Sequence, residues 1–270
     1  MKVCALCKKE AELIDSHLIP KSAYKKSRSF IDGKNVGLVK IVTGEGSAFF
    51  SDEQVTKKLL CSECEDRFSK KGERPVSMQW ATPAGFPMRE YLQSLGAIAV
   101  GPKFSVFNPA SIDPEVLKSL FYFAISVFWR ANVWDWGRSS AQYPGSLGQK
   151  YEASFRSFLL GESVLKNVYL LITVNSTDFL SGLIAFPVSN KIPRAAVHIF
   201  DVLGFKFTAV VGGHIPDDIT KPFVAAGSNV LVLTAPLEES QDFLELAKVV
   251  QTKVTARGRL SKGDNGQYSK

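Results

Sequence analysis

Two Cys-x-x-Cys pairs, Cys4-Ala-Leu-Cys7 and Cys61-Ser-Glu-Cys64, account for every cysteine in the chain. A two-residue gap lets both sulfurs of a pair reach one ion about 2.3 Å away, so the two pairs together define one tetrahedral four-thiolate site of the zinc type. Closing that site pins the residues between the knuckles into one small domain. Four protein ligands leave no position for water, which makes the zinc structural. A redox-active dithiol needs only one such pair, and structural disulfides need an oxidising compartment. The residues ahead of the first knuckle include no apolar stretch of signal-peptide length, so reduced thiols and a cytoplasmic location are expected. Lys8, Lys9, Lys57 and Lys58 flank the pairs and favour the thiolate form.

Length and composition leave room for more than this module. The chain has 270 residues, 45% of them hydrophobic, enough for a second, larger core. The formal net charge of +7 is concentrated towards the two ends of the chain. Between positions 21 and 40, Lys21, Lys25, Lys26, Arg28, Lys34 and Lys40 are opposed only by Asp32. Such a cluster, with Lys21, Lys25, Lys26 and Arg28 at its centre, suits a nucleic-acid backbone, DNA being the expected form. Two considerations limit the inference from charge: four thiolates around Zn²⁺ return about −2 to the module, and modest positive excess is ordinary on soluble surfaces. No apolar run is long enough for a membrane span; the strongest, 120–133, reads as a buried helix.

The pattern along the chain predicts an α+β protein in four parts. Residues 1–74 form the zinc-stapled module, too small to hold together by burial alone. Residues 75–110, rich in Pro and Gly, form a connector with a short helix at 88–95. Residues 111–257 form a larger α+β domain. Its first helix starts at Asp113 as N-cap with Pro114 in the first turn, and a second runs over 149–160, ending near Gly161. Strands follow at 167–175, 183–188, 195–202, 206–211 and 229–234, then a helix within 237–255. Residues 258–270 read as a polar, disordered tail. Helices before strands suggest an α+β layering, not a doubly wound sheet.

Three runs occur in a fixed order: Cys4-x-x-Cys7, Ser16-His17-Leu18-Ile19-Pro20-Lys21, and Leu60-Cys61-Ser62-Glu63-Cys64-Glu65-Asp66-Arg67-Phe68. This order, over residues 4–72, resembles the HNH endonuclease superfamily in its zinc-knuckled ββα-metal form, and more closely a group of bacterial HNH-like proteins. The Phe128-Trp129-Arg130 run fits the second domain of that group. The resemblance implies that His17 is the general base that activates water against a DNA phosphodiester, a role imidazole suits near neutral pH. It also implies a catalytic Mg²⁺ or Mn²⁺ held by Glu65 and by the residue before the histidine. That residue is Ser16, a weak ligand, with Asp15 next to it. The middle asparagine of the family falls at Thr56. Glu65 is a good ligand for a hard cation.

Two functions are therefore carried forward. One is a metal-dependent HNH-like endonuclease, with defence against phage or mobile DNA as the setting that family analogy suggests. The other is a non-catalytic zinc module that binds nucleic acid or protein, with His17 as a structural histidine. In either case the C-terminal domain is expected to serve a protein partner, homo-oligomer contact, regulation or target sensing; a third reading has it bind a small molecule, with the zinc module only tethering it. Three other features have plainer readings. His198 lies in an alternating strand and reads as structural. His214 with Asp217 and Asp218 reads as a glycine turn before a helix, not a metal site. Trp129, Trp134 and Trp136, with Arg130 and Arg138, read as core before base-stacking platform.

Overall fold

The computed structural model describes residues 2–31, 37–136 and 143–262. The N-terminal part begins with the paired strands β1 (Lys2–Val3) and β2 (Glu10–Ala11). Strand β3 (Leu13–His17) and helix α1 (Lys21–Arg28) follow, then the hairpin β4 (Val39–Val42) and β5 (Ser47–Phe50), then β6 (Thr56–Cys61) and α2 (Ser62–Phe68). β3 and β6 pair antiparallel, with an irregularity between Ile14 and Asp15. α2 continues through a π-helical turn, Ser69–Glu73, into α3 (Arg74–Ser77).

The rest of the chain is mixed α+β. It comprises α4 (Pro87–Leu95), β7 (Ala99–Val100), β8 (Ser105–Phe107), α5 (Pro114–Val133), α6 (Gly148–Leu160), β9 (Val168–Asn175), β10 (Ile184–Ile192), β11 (Ala195–Val202), β12 (Phe205–Val211), α7 (Asp217–Ala225), β13 (Val230–Ala235), α8 (Gln241–Lys253) and β14 (Thr255–Ala256). Seven strands form one sheet in the order β10-β11-β12-β9-β13-β8-β7. All neighbours are antiparallel except β13, which runs parallel to β9. Along β11 and β12 the pleat sends alternate side chains to opposite faces. Phe200, Phe205 and Phe207 meet Phe86 ahead of α4 and Phe123 and Phe128 of α5. Lys206, between two of those phenylalanines, reaches Asp242 of α8 on the other face. Helices thus cover both faces.

Local signals explain most of the elements. Asp113 caps α5 by accepting from the Glu115 amide at 2.8 Å, with Pro114 at the first position. Thirteen consecutive residues of that helix, Ser119–Ala131, are buried, as its all-round apolar sequence requires. Gly161 closes α6 in the left-handed conformation. The expected strands all form, and the expected helix at 237–255 resolves into a 3₁₀ turn at Leu237–Glu239 followed by α8.

Two expectations need correction. The segment 75–110 is no free connector: Trp80, Phe86, Met88, Leu92 and Phe107 are core residues, and β8 pairs with β13 in the main sheet. Residues 258–262 form a 3₁₀ turn, and just before them β14 pairs parallel with β5; residues 263–270 of the expected tail lie outside the described residues. The apolar core is continuous, running from Cys4 and Leu6 through Phe68 and Trp129 to Val232. Among the described residues no helix is long and apolar enough to cross a membrane.

His198 takes the structural place expected of it. It is fully buried, its ring packed against Phe128 and Tyr143, with Nδ1 2.9 Å from the Tyr143 hydroxyl. Burial depresses its pKa to about 4. An unfolded chain takes up that proton near pH 6.5, so stability is lost as pH falls from about 6.5 to about 4, and the group contributes roughly 3 kcal/mol across that window. The His198→Gln variant, which keeps an acceptor without titrating, is expected to flatten this acid limb; urea midpoints between pH 4 and 7 measure it. Trp129 and Trp134 are likewise core residues; Arg138 lies outside the described residues.

Candidate metal centre

Each knuckle is built by local backbone geometry. Ahead of β2 the chain turns back on itself, with the Cys4 amide donating to the Lys9 carbonyl at 2.9 Å and Lys8 in the left-handed region at φ 61°. The second knuckle lies where β6 runs into α2, Cys61 at the cap and Cys64 in the first turn. The Ala5 amide donates to Leu59 at 3.1 Å, which ties the two knuckles together.

The four sulfurs all lie within 4.8 Å of one another, with Cys7 and Cys61 Sγ 3.9 Å apart. Tetrahedral zinc with bonds of about 2.3 Å sets its sulfurs about 3.8 Å apart, so the set fits the ion. The thiols are free, not bridged. Burial pushes the Cys64 thiol well up, and its neighbours Cys61, Cys4 and Cys7 push it further. Cys4 is held at about 7, because amides of Cys61, Cys7 and Leu6 outweigh its desolvation. The Cys61 amide points at Cys4 Sγ from 3.3 Å. Amide donors aimed at crowded sulfurs suit thiolates gathered on a cation.

Of the residues expected to hold a second, catalytic cation, Ser16 and Glu65 are brought together, while Asp15 stands exposed beside them. Along β3, Asp15 is exposed while Ser16 is fully buried. Ser16 Oγ donates to Glu65 Oε2 at 2.9 Å. Burial raises the Glu65 carboxyl above its ordinary range, with Glu73 adding to the shift and Arg130 and the Ser16 bond opposing it. Asp15, Ser16 and Glu65 therefore do not converge on one ion. Among the described residues, the four cysteines are the one group of three or more His, Cys, Asp or Glu placed to share a metal.

A buried arginine stands behind this pair. Arg130, wholly buried on α5, donates from Nη1 to the His17 carbonyl at 2.6 Å and from Nη2 to Glu73 Oε1 at 2.8 Å. It also bonds Ser126, and its guanidinium sits 5.2 Å from the Phe68 ring centre. A single charge within the apolar stretch Ser119–Ala131 of the helix must be paired internally, and that rule points to Arg130 in the sequence. Its partners, in a distant strand and a π turn, carry no such mark.

His17 ends β3, half-buried, with Nε2 2.9 Å from Gln54 Oε1. Gln54 escapes a reading based on motifs because it stands two residues before Thr56, the position the family spacing picks out. Thr56 lies opposite His17 in the β3–β6 register.

The basic cluster is divided. Lys21 and Lys25 project from the exposed face of α1, and neither makes an ion pair among the described residues. Lys26 is turned inward: it donates to the Ser77 carbonyl, lies 5.5 Å from the Trp80 ring centre, and has its pKa lowered by burial. Arg28 pairs with Asp52. Lys34 lies outside the described residues. The His214 stretch is an exposed turn leading into α7.

No family model, no curated protein and no solved structure matches this chain.

Proposed function

We propose that residues 1–74 are a zinc-stapled ββα module of HNH type that binds nucleic acid, and that its hydrolytic corner has become a structural latch. The observation that carries this reading is the Ser16–Glu65 hydrogen bond with Arg130 behind it. In an HNH nuclease the residue before the histidine and the residue after the last knuckle hold a divalent cation. In this chain the same two positions lie side by side, after an antiparallel β3–β6 pair that leads into α2. That correspondence supports the architecture. The chemistry at the two positions is different: a hydroxyl faces a half-buried carboxylate, and a guanidinium supplies the positive charge. A dication there would have to displace the first and would be repelled by the second.

Binding rests on α1, where Lys21 and Lys25 present free ammonium groups. Phosphate contacts of this kind are sequence-independent and weaken steeply with salt. Replacing both lysines by glutamate is expected to weaken duplex DNA binding by about tenfold or more at low salt and to shallow the salt dependence, as gel-shift titrations at several ionic strengths would show. His17→Ala should leave that binding unchanged.

A second reading keeps hydrolysis. It is favoured by His17 itself, half-buried and held by Gln54, the arrangement a general base needs. Plasmid nicking in Mg²⁺ or Mn²⁺ decides between the two. The latch reading expects none, whereas nicking abolished by His17→Ala would establish the nuclease.

A further inference from the structure

The groove between the π turn, α3, the first half of α5 and the end of α6 has a volume of about 770 Å³, within the range of ligand sites. Its floor is apolar. Phe121 and Phe158 meet edge to face 5.5 Å apart, and Val116 and the largely exposed Met78 extend that surface. Its rim is basic: Lys70, Lys71 and Lys118 line it, with Glu115 as the one carboxylate.

These ammonium groups are weakly committed. Lys70 pairs with Asp66 and Lys118 with Glu115, but all four side chains are about half exposed or more, and such pairs contribute little. Lys71 makes no ion pair among the described residues; it sits 5.8 Å from the Tyr122 ring centre. Its neighbour Arg67 takes the Leu160 carbonyl at the end of α6.

The backbone that presents the lysines is unusual. Ser69–Glu73 is a π turn, a feature that often marks functional sites. Gly72 lies so close to α5 that a Cβ there would stand 3.1 Å from Phe123 Cα. The turn sends Lys70 and Lys71 to the groove and Glu73 to Arg130.

We propose that this groove binds a nucleoside phosphate. Three ammonium groups, two of them held only by the well-exposed carboxylates Asp66 and Glu115, call for a ligand with several negative charges; a single carboxylate would leave most of the rim unmatched. The apolar floor calls for a flat, poorly hydrated body beside those charges, which a free phosphate or polyphosphate lacks. A nucleobase lies on Phe121, Phe158 and Val116, and the phosphates lie among Lys70, Lys71 and Lys118.

The site is independent of the reading given to β3, β6 and α2. Calorimetric titration of the full-length, zinc-loaded chain with ATP and GTP tests it, with tripolyphosphate and laurate as comparison ligands. One nucleotide at least is expected to bind saturably, about tenfold or more tighter than tripolyphosphate, and the Lys71→Glu, Lys118→Glu double variant should weaken it by at least a further tenfold at an unchanged melting temperature. Phe158→Ala is expected to erase the preference over tripolyphosphate. No nucleotide binding, equal binding of tripolyphosphate, tighter binding of laurate, or an affinity indifferent to the charge reversal would each overturn the proposal.

Discussion

Replacing Arg130 with alanine is expected to destabilise the protein by about 3–5 kcal/mol, the loss typical of breaking a buried ion pair from one side. The arginine is wholly buried and Glu73 mostly so, and the half-buried Glu65 lies within its field. Removing the guanidinium leaves the Glu73 carboxylate unpaired and Glu65 without the charge that offsets Glu73, and it orphans the His17 carbonyl. Arg130→Lys should recover only part of the loss, because a single ammonium cannot reproduce a fork that reaches a carbonyl, a carboxylate and Ser126 at once. The double variant Arg130→Met, Glu73→Leu is expected to be more stable than Arg130→Ala, since it removes both charges of the pair and refills the space. Urea denaturation of the four proteins, with a common m-value as the check on two-state behaviour, supplies the comparison. If Arg130→Ala lost less than about 1 kcal/mol, the ion network could not be what fastens the N-terminal module to α5.

The same network shows which parts of this molecule can be read from its sequence. Asp113, Pro114 and Gly161 announce the ends of their helices because capping is a local matter. The strands from β9 to β13 announce themselves by alternation and by the turns between them. The four-cysteine cluster is legible because two residues of spacing determine the reach of a sulfur. What escapes is whatever depends on partners far apart in the chain. Nothing local to 99–107 says that β7 and β8 extend the main sheet, or that Thr255 and Ala256 pair with Ser47 and Ala48. Asp15 and Ser16 are an intermediate case. Strand periodicity alone implies that neighbours face opposite ways, and Asp15 is exposed where Ser16 is buried. The splitting of the basic cluster has the same origin. Helical spacing places Lys21 and Lys25 on one face of α1, four residues apart, and leaves Lys26 to turn towards Ser77 and Trp80.

Removal of the metal is expected to have the largest effect of all. The purified chain should carry one zinc ion, measurable by mass spectrometry of the metal content. Binding by four thiolates is worth on the order of 10 kcal/mol or more in small zinc modules, nearly all of it folding free energy. The N-terminal part has little to set against such a loss: β1 and β2 are two residues each, and α1 buries only Ala23, Tyr24 and Ser27. Sulfurs also form part of the core beside Leu6, Leu13 and Leu60, so stripping the ion leaves crowded thiols where packing should be. A strong chelator, or Cys64→Ala, is therefore expected to melt the segment up to about residue 74 while the seven-stranded sheet, which contains no residue of that segment, persists. Hydrogen exchange resolves the two regions: amides of β3, β6 and α2 should lose protection and those of β9, β11 and β12 keep most of theirs. Acid should mimic the chelator, because thiolates must take up protons as the ion leaves. Protection of β3 and β6 that survives both treatments would mean that the cysteines merely pack together and that Arg130, not a metal, organises the N-terminal fold.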